Sequence, residues 1–413
     1  MSGIIRGTKK KDNPDYEPFE KNGRTYYRKK RSGESSGMRR TSGGNSVATG
    51  SINDVLGDIT PVQEEDVSHI LAEEKDDGTL SFSHLYGKER NHAIQNELIE
   101  GMQNLVIDEK EFAAHMDFVR SNYNYSFRNQ LLLNLQKPDG TVFKTYKQWQ
   151  ALGYQVARGK KQAFALRPYF KDKLDEHGNP VLDKNGKPVK VLSNYGHYGK
   201  IFSNKDLDPS VKEPPQNPLT NHFNRYLERD DIDDVTAMRE DLTKVAEKMG
   251  IPVESKSRND DPLLSSGAGG YAQRTPNGYR IVISDDVQPH AATHVLSHEM
   301  AHILCGHLDR GIYSPGEKSN FKTPSEREVE AETMAYAISR DYGLDTDNFA
   351  FSYLHGWANN DPKKIENAMG NVSRGLKKYY TELETIVTGT NRDEIDSSAN
   401  ESNLKKSQEK KKK

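Results

Sequence analysis

This chain lacks what a stapled or membrane-embedded protein needs. It has one cysteine, Cys305, among 413 residues, so no disulfide can form within it. Such usage fits a reducing compartment. No apolar run approaches the ~20 residues of a membrane span, and no membrane partner is expected. The first residues, MSGIIRGTKKK, lack an apolar core of signal-peptide length, so a cytoplasmic protein is expected. An excess of charge of one sign is also missing. The formal net charge of −2 points to no partner. Apolar residues make up 33% and mean hydropathy is −0.90, too little for a chain packed throughout, so part of it should be solvated.

What is present divides the chain into five parts. Residues 1–88 are rich in Gly, Ser, Lys and Arg and read as a flexible basic arm, with a cluster at Arg28, Lys29, Lys30 and Arg31. Residues 89–205 read as a first domain. Its helical spacing at Leu98, Met102, Leu105 and Val106 is followed by the run Leu131 to Leu135. A short strand at Val142 and Phe143, a helix from Tyr146 to Leu152 and a hairpin from Tyr154 to Leu166 turned at Gly159 come next. The echo of DEHGNPV at 175–181 in DKNGKPV at 183–189 marks an exposed hairpin insertion within 171–190. Proline-rich 206–220 reads as a linker, 221–387 as a second, mainly helical domain, and 388–413 as a disordered basic tail. The fold class expected is α+β.

His298-Glu299-Met300-Ala301-His302 carries the chemistry. On a helix, residues four apart differ by about 40° and about 6 Å of rise, so both imidazoles can face one ion. Apolar residues surround them at almost every angle, which marks a buried helix, and buried histidines need partners. Two satisfied core histidines are the plainer alternative. A third ligand should come from the next helix. Thr323-Pro324-Ser325-Glu326 reads as a capping box, which leaves the later glutamates free. Glu328 and Glu332 share a face, with Glu330 on the opposite side. Glu328 is expected as third ligand and Glu332 as a carboxylate behind an imidazole. An exposed acidic first turn is the alternative. Two histidines and one carboxylate leave an open position, the arrangement of catalytic Zn2+. Glu299 would then serve as general base. The strand Tyr279–Ser284 could pair with an extended peptide, and Tyr353 or His355 could support an oxyanion.

Residues 121–170 interleave cations with rings. Arg128, Lys137, Lys144, Lys147, Arg158, Lys160, Lys161 and Arg167 lie among Tyr123, Tyr125, Phe127, Phe143, Tyr146, Trp149, Tyr154, Phe164, Tyr169 and Phe170. Cations that follow phosphates and rings that stack on unpaired bases suit single-stranded DNA. The same pattern would arise if the rings form a core and the lysines coat it.

YSFRNQLLL at 125–133, YKQWQALGYQV at 146–156 and RGKK at 158–161 resemble the N-terminal domain of ArdC-like antirestriction proteins. The residues His298 to His302, REVEAE at 327–332, Tyr353 and Trp357 resemble the attached zincin-type domain, related to ImmA/IrrE-like peptidases. The resemblance implies single-stranded-DNA binding, to which it adds Asn129, and a zinc metallopeptidase-type domain; one reading is that this domain cleaves a host or element protein as its substrate. It also implies origin in plasmids, conjugative elements or phages, and protection of entering DNA from restriction. Two other roles stay open: a DNA-shielding module whose zinc is structural, and a peptidase that cleaves a regulatory repressor. A structural zinc would have no use for a base at Glu299.

Overall fold

The computed structural model describes residues 16–21, 24–29, 72–175, 178–183, 186–227, 235–309, 322–344 and 349–390; for 16–29, 168–170, 192–198 and 349 it describes backbone alone. The basic tail from 391 onward and Lys30 and Arg31 of the basic cluster lie outside the described residues.

The chain divides into two compact units. One holds Met1–Asn96 with Leu166–Gly199, the other Glu97–Ala165 with Lys200–Lys413. In the first, β1 (Tyr16–Lys21) and β2 (Arg24–Lys29) form an antiparallel hairpin, so the basic arm carries some regular structure. A second hairpin pairs β3 (Glu73–Glu74) with β4 (Leu80–Ser81). The Asp77 carboxylate closes its turn by accepting from Thr79 N and Oγ1, at 3.0 and 2.6 Å. The insertion folds as two small turns of one design. Asn179 N donates to Asp175 Oδ1 at 2.8 Å, and Lys187 N to Asp183 Oδ1 at 2.9 Å. Lys173, Val181 and Val189, eight residues apart, then close a ring of backbone bonds. The eight-residue echo in the sequence is thus a structural repeat.

Helix α1 (Gly87–Ile107) leads into the second unit, followed by α2 (Glu109–Asn122) and α3 (Phe127–Gln136). Asp108 caps α2 through a bond from Lys110 N at 2.9 Å. The apolar period runs on across this cap, which hid the break between α1 and α2 in the sequence. Next come β5 (Phe143–Lys144), α4 (Tyr146–Ala151), β6 (Ala163–Asp172) and β7 (Lys190–Ser203), in a sheet of order β5-β7-β6; β6 leaves the second unit at Leu166 and β7 re-enters it at Lys200. The expected hairpin turned at Gly159 is absent. Residues 155–157 bond instead to 206–208, through a bridge of Val156 to Leu207 and a bond from Ala157 N to Asp206 O. Phe118, Leu133, Phe143, Ala163, Ala165 and Ile201 form the apolar core here.

The rest of the second unit comprises α5 (Pro218–Leu227), α6 (Thr236–Lys248), β8 (Val253–Lys256), β9 (Gly270–Thr275), β10 (Gly278–Ser284), α7 (Pro289–Leu304), α8 (Pro324–Asp341), α9 (Phe349–Ala358) and α10 (Pro362–Thr388). The stretch 206–220 is not a free linker. Asn204 Nδ2 donates to Pro215 O at 3.0 Å, Asn217 Nδ2 to Ser121 O at 2.9 Å, and α5 begins at Pro218. Helices α2 and α3 are joined to α8 and α10 by Arg340–Asp117, Arg120–Asp341 and Arg128–Glu366 pairs, at 2.7, 3.3 and 2.7 Å. The two halves read from sequence therefore share one packing unit over these helices.

The sheet order β8-β10-β9 puts β10 in the centre, parallel to β8 and antiparallel to β9. Ile281, Val282 and Ile283 of β10 are buried accordingly. The strand expected to accept a peptide is thus already paired on both sides, and β9 is the edge. Gly270 lets β9 approach α7: a Cβ there would lie 2.6 Å from Val295 Cγ1 and 2.7 Å from Val282 O.

Candidate metal centre

Helix α7 starts with Pro289 in its first turn and buries Leu296, Met300, Ala301, Ile303 and Leu304. That packing fixes its rotation and turns His298 and His302 to one side, with their Nε2 atoms 3.0 Å apart. Helix α8 starts as the sequence predicts. Thr323 accepts from Glu326 N at 3.2 Å, and the Glu326 carboxylate accepts from Thr323 N at 2.6 Å. From that start, Glu328 reaches both imidazoles: Oε2 lies 3.4 Å from His298 Nε2, and Oε1 lies 3.6 Å from His302 Nε2. The donor atoms of His298, His302 and Glu328 lie within 4.8 Å of one another. Two imidazoles and a half-exposed carboxylate, converging with one side open, fit a divalent ion with a free coordination position.

The surroundings supply charge and orientation. His298 Nδ1 faces Glu332 Oε1 at 2.9 Å, off the axis of a good hydrogen bond. Burial alone would lower His298, but Glu328, Glu332 and Glu299 outweigh it and push it up to about 10. His302 goes the other way, to about 4, through burial and the neighbouring His298 and His307. Burial raises Glu299, whose Oε2 accepts from the backbone N–H of Ala272 on β9 at 2.7 Å. Glu328 is lowered, chiefly by its bond to His298.

One pair of residues at this site escaped the sequence. Glu330 is buried, not idle: His307 Nε2 lies 2.8 Å from its Oε2, while Lys322 and Asn371 donate to it. His307 Nδ1 in turn lies 2.9 Å from His302 Nδ1. A face argument separates Glu328 from Glu330 only if one side of the helix meets water. Helix α8 is buried on most of its circumference, from Val329 to Ile338. The lone histidine shortly after the motif was the available signal. The oxyanion expectation does not hold for His355, whose Nδ1 is turned to Val106 O at 2.5 Å; Tyr353 lies half-buried on the same helix.

The residues expected to meet DNA divide sharply. Trp149 is fully buried, its Nε1 donating to Phe202 O at 2.9 Å and its ring packed against Tyr154. It offers no face to a base, which corrects the stacking expectation. Arg128 is spent on its ion pair with Glu366. Tyr125 packs edge-on to Phe143, with its hydroxyl donating to Phe143 O at 3.2 Å. Asn129 is half-buried on α3. Lys144 is also half-buried, and burial lowers its ammonium. Tyr146, Lys147, Arg158, Lys160 and Lys161 are exposed. The aromatic run is therefore mostly core, and the exposed part is a basic turn around Gly159 with Tyr146 and Lys147 on α4. The side chains of Tyr169 and Phe170 lie outside the described ones.

Comparison with known proteins assigns both halves. Residues 88–202 match the N-terminal domain of the anti-restriction factor ArdC, and residues 239–339 match the IrrE N-terminal-like domain of the M78 peptidases. The class is thus a metallopeptidase-like domain preceded by an ArdC-type domain. The chain carries, in order, the two domains of ArdC-like antirestriction proteins. An uncharacterized Bacillus anthracis protein is 20% identical over 72% of this chain. The DNA primase TraC of Escherichia coli is 24% identical over 54% of it. The chain's matches span only 51% and 14% of those two relatives. Crystal structures of the antirestriction ArdC protein from plasmid R388, metal-free and Mn(II)-bound, are 17% and 18% identical to it. They cover 71% and 69% of this chain and 98% of their own, with TM-scores of 0.39 and 0.36.

Proposed function

We propose that this chain is a single-stranded-DNA-binding protein of a mobile element whose second domain is a zinc-dependent peptidase, acting in the cytoplasm to protect entering DNA. The observation that carries the peptidase reading is the convergence of His298, His302 and Glu328 with Glu299 alongside. Bound there, a divalent ion supplies Lewis acidity toward a carbonyl. His298, His302 and Glu328 would hold it, the carboxylate also offsetting part of its charge. Glu299 transfers the proton, its raised pKa placing it closer to neutral pH as a base. Ala272 fixes its carboxylate. A substrate strand would pair with the free edge of β9, which runs past this carboxylate. Zinc is favoured over manganese by the two-imidazole set, since manganese prefers all-oxygen sites.

The basic turn supports the DNA reading. Arg158, Lys160 and Lys161 are exposed, as is Tyr146; the cations can follow phosphates and the ring can stack on a base. Metal content measured together with a Glu299→Gln comparison in a restriction-protection assay tests both parts. The expected result is unchanged metal content, unchanged DNA binding and lost protection. Full protection by Glu299→Gln would favour a shielding role without proteolysis.

A further inference from the structure

Behind the metal-facing pair lies a polar chain that the three donors do not themselves require. His307, in the turn after α7, and Glu330, on α8, are both buried. His307 links His302 to Glu330 through contacts of 2.9 and 2.8 Å. The Glu330 carboxylate also receives Lys322 on one oxygen and Asn371 on the other, and Asn371 is anchored to Cys305 O at 3.0 Å.

Only one arrangement of protons suits this chain when His302 uses Nε2 toward an ion. Its Nδ1 must then carry the ring proton and donate. A neutral imidazole has one donor and one acceptor nitrogen. His307 must therefore accept at Nδ1 and carry its own proton on Nε2, where Glu330 accepts it. Lys322 balances the buried carboxylate, which would otherwise be costly.

Resting on the metal-centre reading above, we infer that His307 and Glu330 are positioning residues that fix the tautomer and aim of His302. Glu332 stands in the corresponding place behind His298. A second metal held by Cys305, His307 and Glu330 is the competing use of these atoms, which lie within 4.8 Å of one another. The ammonium of Lys322 and the amide of Asn371 already occupy both carboxylate oxygens. The Cys305 sulfur faces Met334 Sδ at 4.0 Å and packs against Gly375.

Zinc competition titrations of the full chain test this. His307→Leu should weaken zinc binding by about 10–100-fold, the usual loss for an outer-shell partner. His307→Gln should recover part of it, because its amide can accept from one side and donate to the other. Cys305→Ser should bind zinc as the parent does. In zinc-loaded protein labelled with 15N-histidine, His302 should carry its proton on Nδ1 and His307 on Nε2. If His307→Leu does not fold, Glu330→Gln gives the same reading through the His307 proton, which should lose its fixed place. Parent-like zinc affinity in folded His307→Leu, a His307 proton fixed on Nδ1, or loss of a second zinc in Cys305→Ser would each overturn the inference. A parent chain that binds no zinc would overturn the metal centre itself and this inference with it.

Discussion

At the residue scale, the site is a set of carboxylates with unequal tasks. Glu328 touches both imidazoles, while Glu332 reaches the far nitrogen of His298 and, at 3.6 Å, His294 Nε2. Glu328→Ala should therefore abolish tight metal binding, and Glu332→Ala should weaken it by about 10–100-fold. Metal titration of both variants checks this, and a larger loss in Glu332→Ala would reverse the assignment. The histidines and Glu299 were legible because their spacing alone places them on one side of a helix. Glu330 was not, because its role depends on His307 and Asn371, which arrive from a turn and from α10. Trp149 misled for a related reason. Aromatic residues among lysines look alike whether the rings face water or each other, and packing decides.

At the scale of elements, α8 is the best-read and most consequential helix. Its cap and its proline are as the sequence predicts, and it runs from Pro324 to Asp341. Weaker local signals hid the break between α1 and α2 behind an unbroken apolar period, α5 behind prolines, and β9 behind glycines. The end of α8 carries a titratable joint. Asp341 is buried, which pushes it up to about 7 although Arg120 and Tyr380 both favour its charge. In the unfolded chain this carboxyl would titrate at its ordinary ~3.9. The folded state thus keeps a proton that the unfolded state releases. Its contribution to stability is full below the lower value and is lost as pH rises through about 7. Thermal melts of metal-free protein at pH 5 and 8 should show a larger drop for the parent than for Asp341→Asn. Equal drops would contradict this account of the joint.

At the scale of the whole molecule, the two matched domains are not two separate packing units. Arg128, matched within the ArdC-type segment, pairs with Glu366 on α10. Arg128→Ala should therefore act on stability, by about 3–5 kcal/mol for a broken buried pair. Changing Lys160 and Lys161 together to Ala should act on DNA. Binding of an unstructured oligonucleotide should weaken, and its salt dependence should flatten by about 0.7 per lost phosphate contact. An unchanged slope, or equal affinity for duplex and single strand, would remove the basic turn from the DNA path. The central claim is that one ion is held by His298, His302 and Glu328, with Glu299 beside it but not holding it. Zinc content of the purified full chain after exhaustive dialysis tests it most directly. The account predicts about one zinc in the parent and in Glu299→Gln, and almost none in His298→Ala, His302→Ala or Glu328→Ala. Zinc lost from Glu299→Gln, or fully retained when His298 and His302 are each replaced, would contradict it.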